Sequence, residues 1–405
     1  MRKILSVLVV AGVVTGVYAR MPDTVAVRKH YPLVHRIGID FRPGYIAQTN
    51  SFVKGYRYVG RNREAMEKSM SYHLKYAFAF HPESYEGRMF PGSYQGIGLS
   101  YNDFGNYAEV GIPKAVYVFQ GAPIVRFSPH FSLNYEWNFG AALGWHPYDW
   151  KTNPNNQMIG SKVNAYLNLN FAAEWKLCPY ASLTAGVEAT HYSNGNTSYP
   201  NAGMNILGGR VGVVCTLNPP KEEQVVRAYT RPDFRRHFSY DMVLFGSWRR
   251  KGIITQTDGY ISPDKYPVVG FNFAPMYNFG PRFRAGLSLD GVYDSSSNVY
   301  MVEGQNEDGV YEKQFVRPPM RYQLSLGFSG RAEFVMPFFA VNVGIGVNAL
   351  TRDPDQRGLY QTLALKLNVT HDAFLHVGYT LQKFHDPSYL MLGVGYRFGN
   401  KRAVQ

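Results

Sequence analysis

The strongest constraint on the fold of this chain is a strict alternation of side-chain type that runs through long segments. In residues 131–145 the odd positions are mostly large and apolar, such as Phe131 and Trp137, while the even positions are polar or small, such as Asn134 and Glu136. Alternation with period two indicates a β-strand whose two faces meet different environments. Strands of soluble sandwiches average about five or six residues, whereas these segments exceed the roughly nine to eleven that cross a bilayer. The pattern therefore predicts an all-β, antiparallel transmembrane β-barrel.

Alternating segments recur in both halves of the chain, with about eight in each half, which is enough to close two small barrels. They begin near Arg36, Tyr72, Tyr94, Ala115, Phe131, Val163, Ala181 and Asn205, and then near Phe238, Pro267, Phe283, Tyr322, Phe339, Gln361, Ala373 and Tyr389. Residues 218–237 contain three prolines and a run of charges, which predicts a linker. We expect two tandem eight-stranded barrels at residues 20–217 and 238–399, followed by a tail at 400–405. One sixteen-stranded barrel is the alternative.

The first residues predict export. Arg2 and Lys3 precede an apolar run that ends in the small-residue exit Val17-Tyr18-Ala19, so we expect a cleaved signal peptide at residues 1–19. No later stretch has the roughly 18 to 20 consecutive apolar residues of a membrane-spanning helix, which excludes a helical membrane protein. Aromatic residues make up 15% of the chain and charged residues only 18%. Aromatic girdles at two membrane interfaces would explain this excess.

The net charge of +13 indicates a polyanionic partner. Since an exported chain without a basic run or a binding motif argues against nucleic acid, we expect phosphorylated lipopolysaccharide instead. The scattered histidines show no metal-ligand spacing, and we expect neither a metal nor a cofactor. Cys178 and Cys215 fall on opposite faces of their predicted strands, which disfavours a disulfide.

One segment of the first half carries a pattern of residues suited to ester hydrolysis. The sequence runs His191-x-Ser-Asn, then a short loop, then Pro-Asn-x-Gly-x-Asn205. The pattern resembles that of the PagL-type lipid A 3-O-deacylases, in which His-x-Ser-Asn is followed by Pro-Asn-x-Gly-x-Glu. Every one of these positions except the last matches in residue and in spacing. The resemblance covers about half of the chain and implies an outer-membrane barrel that cuts one acyl chain from lipopolysaccharide.

The strand phase independently places the candidate residues on one wall. His191 and Ser193 continue the apolar odd-numbered row of the seventh segment, and Asn205 lies on the outward face of the eighth. The resemblance then implies that Ser193 is the nucleophile, His191 the general base and Asn205 the orienting third member. Asn194 and Asn201 are candidate oxyanion donors, because their amide N–H groups could reach the tetrahedral oxygen.

Asn205 is the departure from the family pattern. A glutamate at this position fixes the imidazole tautomer and also stabilises the imidazolium of the transition state, whereas an amide can do only the first. An amide turned the other way would donate to the ring and hold the wrong tautomer. Slow or absent activity is therefore a consequence that the sequence itself predicts.

The second half weakly resembles the first, since Ala181-Ser-Leu-Thr-Ala-Gly aligns in phase with Ala373-Phe-Leu-His-Val-Gly. The same alignment puts Lys383 over His191 and His385 over Ser193, so it leaves no nucleophile. We expect a degenerate second barrel that serves as a scaffold or partner surface, with His385-Asp386 as a loop pair. Its last segment ends at Phe398 and resembles an outer-membrane assembly signal.

Three functions remain open at this point. The first is an outer-membrane esterase that removes an ester-linked hydroxy-acyl chain from lipid A. The second is an inactive barrel that is structural or binds lipopolysaccharide, and the third is a porin-like channel, for which sixteen strands would suffice. We expect as partners lipopolysaccharide, outer-membrane lipid and the outer-membrane assembly machinery; a homodimer is a further alternative.

Overall fold

The computed structural model of the chain describes residues 31–221, 232–254, 259–262, 264–305, 311–384 and 386–401. The predicted signal peptide, the middle of the predicted linker and His385 lie outside these ranges. Two compact units are present, one over Tyr31–Pro232 and one that begins at Asp233. Each unit contains a closed barrel of eight strands within the described residues. The prediction of two eight-stranded barrels is confirmed, and the alternative of one sixteen-stranded barrel is wrong.

The first barrel is a simple up-and-down arrangement in which each strand pairs antiparallel with the next. Strand β1 closes the ring against β8, with Arg36 opposite Thr216. A short helix, α1 (Tyr85–Met89), lies in the connection after the second strand. The strands are β1 (Val34–Ile46), β2 (Lys68–Ala79), β3 (Tyr94–Asp103), β4 (Gly111–Arg126), β5 (Phe131–Trp145), β6 (Val163–Cys178), β7 (Ala181–Ser193) and β8 (Met204–Thr216).

The second barrel closes in the same way, through pairing of its last strand with its first. Its strands are β9 (His237–Arg249), β12 (Tyr266–Asn278), β13 (Phe283–Asp294), β16 (Leu324–Val335), β17 (Phe339–Thr351), β18 (Leu359–Asn368), β19 (Ala373–Gln382) and β20 (Asp386–Phe398). Two hairpins extend its longest connections, β10 (Gly252–Ile254) with β11 (Gly259–Ile261), and β14 (Tyr300–Gln305) with β15 (Tyr311–Val316). The segment predicted to begin near Tyr322 starts as a 3₁₀ turn at Met320–Tyr322, and its strand begins at Leu324.

Buried ion networks fill both barrels. In the first, Arg42 lies 2.9 Å from Asp40 and 2.8 Å from Glu188, and Lys75 lies 2.7 Å from Glu136. A cavity beside Lys75 and Glu136 has a volume of about 30 Å³, which is room for little more than water. In the second, Lys366 and Arg397 pair with Asp241 at 2.7 and 2.6 Å, and a cavity beside Lys366 and Asp241 is about 10 Å³. In the described part of the chain, side chains occupy both interiors, as expected for eight strands.

The outer walls are apolar, and the connections at the two ends of each barrel differ in length. In the first barrel, residues 127–130 and 179–180 form short turns at one end, while 47–67 and 146–162 form long loops at the other. Bacterial outer-membrane barrels keep short turns in the periplasm and longer loops outside the cell. The long-loop end is therefore the outer end. No helix in the described part of the chain is long and apolar enough to cross a membrane.

The two cysteines are free and exposed. The sequence phase predicts that Cys178 faces inward and Cys215 outward, but a register shift between Lys176 and Cys178 leaves Cys178 exposed. Both cysteines lie beside Ala181, one on each side of β7. Their Cα atoms are separated by two strand spacings of about 4.8 Å each. This separation exceeds the Cα distance that a disulfide can bridge.

Candidate active site

The seventh and eighth strands hold the candidate residues at the outer end of the first barrel. Along β7 the even positions, such as Thr190 and Tyr192, are buried in the interior, whereas the odd positions face outward. His191 and Ser193 follow the outward row, and Asn205 lies on the outward face of β8. The phase on which the sequence interpretation depended is present in the structure.

His191 and Asn205 are directly opposite each other in the β7–β8 ladder. Their side chains meet, with Nδ1 of His191 2.7 Å from Oδ1 of Asn205. A carbonyl oxygen can only accept a hydrogen bond, so Nδ1 carries the proton and donates. Nε2 is then unprotonated, which is the tautomer that a general base requires.

A hydroxyl from another element favours one orientation of the Asn205 amide, because the hydroxyl of Thr49 donates its proton to the carbonyl of Ala47 at 3.5 Å and can then only accept from Asn205. Nδ2 of Asn205 donates to Oγ1 of Thr49, in the loop after β1, at 3.5 Å. If the amide were reversed, its carbonyl would face Thr49 and its NH₂ group would face His191. The sequence interpretation missed Thr49, because a contact across the closure of the barrel leaves no signal in a single sequence.

Ser193 lies on the same face as His191, two residues further along β7, and opposite Ala165 of β6. Within the described residues no hydrogen bond joins Oγ of Ser193 to His191. Successive outward positions of a strand are about 6.6 Å apart. An imidazole and a serine at such positions therefore lie side by side, but the strand does not hold them in a hydrogen bond. Catalytic hydrogen bonds are often long before the substrate is bound.

Asn194 is held within the β7–β8 loop by hydrogen bonds. Its backbone N–H donates to Oδ1 of Asn201 at 2.9 Å, and its side-chain NH₂ donates to the carbonyls of Ser198 and Pro200 at 3.0 and 3.4 Å. The side chain is only 6% exposed. These contacts engage the N–H groups of Asn194 and order the β7–β8 loop, and its role as an oxyanion donor stays a prediction. Asn201 accepts through Oδ1, which leaves its NH₂ group as a candidate donor.

Gly203 packs against the imidazole. Its φ of +71° is a left-handed conformation, and a Cβ atom there would lie 3.0 Å from Cε1 of His191. Its backbone is held on both sides, because its N–H donates to the carbonyl of Met158 at 3.2 Å and its carbonyl accepts from Nδ2 of Asn50 at 3.1 Å. The glycine of the motif is thus required by backbone conformation and by the space that His191 occupies.

Loops from three other connections pack together at the outer end of the first barrel, beside this site. Their buried apolar side chains join one core, which includes Phe52, Val53, Phe104, Val110, Met158 and Ile159. Glu109 accepts hydrogen bonds from Arg57 at 2.6 Å and from Asn106 at 2.9 Å, which ties two of the loops together. Partial burial raises the pKa of Glu109, but these hydrogen bonds outweigh it and hold the pKa below its usual value.

Two family models match the chain. The model described as lipid A 3-O-deacylase (PagL) matches residues 53–214, and the model described as acyloxyacyl hydrolase, C-terminal domain, matches residues 238–401. The chain belongs to the PagL family. In this family member the first model spans most of the first barrel, including His191, Ser193 and Asn205, and the second model spans the second barrel.

Solved structures resemble this PagL-family chain more loosely. The crystal structure of the outer-membrane enzyme PagL is 15% identical, with 43% of this chain and 97% of that chain covered and a TM-score of 0.28. The siderophore receptor PirA from Acinetobacter baumannii is 8% identical, with 87% and 68% covered and a TM-score of 0.23. The toluene transporter TodX from Pseudomonas putida is 9% identical, with 91% and 89% covered and a TM-score of 0.18. No curated protein sequence matches significantly.

Proposed function

We propose that the chain is an outer-membrane esterase that removes an ester-linked hydroxy-acyl chain from lipid A, with Ser193 as nucleophile, His191 as general base and Asn205 as the residue that orients His191. Membership of a family described as lipid A 3-O-deacylases supports the substrate class. The observation that carries the proposal is the contact of 2.7 Å between His191 and Asn205. It leaves Nε2 available on the outward face that also carries Ser193.

The reaction follows from this arrangement. Oγ of Ser193 attacks the ester carbonyl carbon while its proton passes to Nε2 of His191. The tetrahedral intermediate then collapses, the bond to the sugar oxygen breaks, and the sugar hydroxyl takes the proton from Nε2. Water attacks the acyl-serine in the same way, which releases the hydroxy acid and restores Ser193. The NH₂ group of Asn201 is the donor that we propose for the oxyanion.

The lipid-facing position suits a substrate that never leaves the membrane. Below His191 and Ser193 the outward rows of β7 and β8 present exposed Val187, Leu207 and Val211. Acyl chains can lie along this wall while the ester reaches the site at its outer edge, since lipid A fills the outer leaflet. Neither a lumen nor a cofactor is needed for this reaction.

Export and assembly complete the proposal. Residues 1–19 direct export and are removed, and β20, which ends at Phe398, is recognised by the assembly machinery. Sequencing the amino terminus of the mature protein from outer membranes should begin at Arg20.

Mass spectrometry of lipid A tests the activity. Expression of the wild-type chain in a strain with unmodified lipid A should lower its mass by one hydroxy-acyl group. Ser193→Ala and His191→Ala should abolish the change, while Ser198→Ala, which alters a loop serine outside the outward row, should retain it. Identical spectra for all four strains would favour the second candidate, a barrel that binds lipopolysaccharide without hydrolysis, which the uncharged Asn205 makes the main alternative.

A further inference from the structure

The outer end of the second barrel carries two arginines beside one aromatic ring. The guanidinium carbons of Arg321 and Arg352 lie 5.2 and 5.1 Å from the centroid of the Tyr322 ring. Both arginines are exposed, and among the described residues neither forms an ion pair with a carboxylate. Their neighbour Arg317, in contrast, lies 3.4 Å from Asp264. The two charges near Tyr322 are therefore held together without a carboxylate partner in the part of the chain that the structure describes.

The side chain of Asn298 links the two backbone segments that carry Arg321 and Arg352. Asn298, in a left-handed conformation with φ of 56°, lies in the connection after β13. Its side-chain NH₂ donates to the carbonyl of Tyr322 at 2.7 Å and to that of Arg352 at 3.4 Å. The segments that carry the two arginines are thereby joined, and the arrangement belongs to the fold rather than to free side chains.

The strand register places these groups on top of the lipid-facing wall. Ser325 pairs with Thr351, and their hydroxyl groups meet at 2.8 Å on the inner side. Since faces alternate, Leu324 and Arg352 point outward at the next step. Leu324 is 45% exposed and Leu350, one step nearer the membrane centre, is 66% exposed. A column of exposed apolar side chains that includes Leu350 and Leu324 thus ends in Tyr322 and the two arginines.

This order of groups matches the order of groups in a phosphorylated lipid. Apolar side chains contact acyl chains, tyrosine lies at the level of the interface, and guanidinium groups bind phosphate. The column lies at the end of the second barrel with the long, hairpin-bearing connections, which is its outer end. We propose that Arg321, Tyr322 and Arg352 form a binding site for the phosphorylated headgroup of lipid A in the outer leaflet, separate from any site in the first barrel.

The site can be tested by lipid binding to the purified full-length protein in detergent. The probes are bisphosphorylated lipid A, its enzymatically dephosphorylated form, and inorganic phosphate as a competitor. The test variant is Arg321→Gln with Arg352→Gln. The matched control is Lys265→Gln with Arg357→Gln, which removes the same charge from exposed residues at the same end of the barrel. Retention of the gel-mobility difference between heated and unheated samples shows that each variant is folded.

The test variant should bind bisphosphorylated lipid A about thirtyfold more weakly, because roughly 1 kcal/mol for each basic residue at a membrane surface sums to about 2 kcal/mol for the two arginines. The control should bind like the wild type, and the dephosphorylated lipid should not distinguish the variants. Equal weakening in the test and control variants would overturn the site, because only general charge would matter. Competition by inorganic phosphate at the concentration of the lipid would also overturn it, since the acyl wall would then contribute nothing. Because the readout is binding, loss of the proposed esterase activity would leave this result unchanged.

Discussion

Nδ1 of His191 and Oδ1 of Asn205 lie 2.7 Å apart across the β7–β8 ladder, where the two residues are directly opposite. Opposite positions of an antiparallel pair bring Cβ atoms within about 4.5–5.5 Å. A short amide can therefore reach the imidazole without help from a loop. The contact fixes the tautomer, but it supplies no negative charge to the imidazolium that forms when Ser193 is deprotonated.

Replacing the amide with a carboxylate should therefore accelerate the reaction. We expect Asn205→Glu, which restores the residue of the family pattern, to raise the turnover of lipid A by about ten- to a hundredfold, because a hydrogen bond to a charged group contributes roughly 1.5–3 kcal/mol. Asn205→Ala should lower it. The measurement is release of hydroxy acid by the purified protein, with Ser193→Ala in the Asn205→Glu background as the inactive control. A slower Asn205→Glu variant would show that the missing charge does not limit the reaction.

Thr49 should affect turnover only while residue 205 is an amide. Thr49→Val removes the hydroxyl that accepts from Nδ2 of Asn205 at 3.5 Å, so the amide can reverse and hold the wrong tautomer. We expect a two- to tenfold loss of turnover, about the value of one hydrogen bond of 0.5–1.5 kcal/mol. Thr49→Ser should retain activity. In the Asn205→Glu background Thr49→Val should have no effect, since a carboxylate has no wrong orientation; an equal loss in both backgrounds would assign Thr49 to loop structure alone.

Gly203 should be required for the position of His191 and not only for the loop. Gly203→Ala places a methyl group 3.0 Å from Cε1 of His191 and also strains a backbone with φ of +71°. Gly105→Ala is a matched control, because φ is +70° there and no atom lies within 4 Å of the added Cβ. Both should lose about 1–2 kcal/mol of stability, measured by urea unfolding, but only Gly203→Ala should lose at least tenfold in turnover. Similar turnover for the two variants would contradict this account.

Neither barrel should conduct ions. Arg42, Lys75 and their carboxylate partners fill the first interior, and Lys366 and Arg397 do so in the second. Purified protein in planar bilayers should give no single-channel steps under conditions in which a sixteen-stranded porin does. Reproducible single-channel steps would favour the porin-like channel, the third function that the sequence left open.

Much of the fold could be predicted from alternation, because the inner and outer faces of a membrane strand meet opposite environments at every step. The start of β5 at Phe131 and of β7 at Ala181 coincide with the predicted segments. The hairpins β10–β11 and β14–β15 were missed, since strands of three to six residues carry too short a pattern. One sixteen-stranded barrel stayed open as an alternative to the predicted two, because closure depends on the pairing of Arg36 with Thr216, which leaves no local signal.

The candidate site, like the fold, has a part that the sequence predicts and a part that depends on tertiary contacts. The outward phase of His191 and Ser193 follows from the strand pattern, and the position of Asn205 follows from its own strand. The hydrogen bonds of Asn194 depend on how the loop folds back on itself, so its ordering role could not be read from the motif. Thr49 belongs to a loop far away in the sequence and reaches the site only through barrel closure.

The most direct test of the central claim is covalent labelling of Ser193 in the folded protein. A long-chain alkyl fluorophosphonate should react with an activated serine at the lipid-facing wall, with a bond forming between Oγ and phosphorus as fluoride leaves. Peptide mapping should find the adduct on Ser193, with labelling strongly reduced in His191→Ala and unchanged in Ser198→Ala. An unlabelled Ser193, or equal labelling with and without His191, would contradict a serine esterase site on this wall.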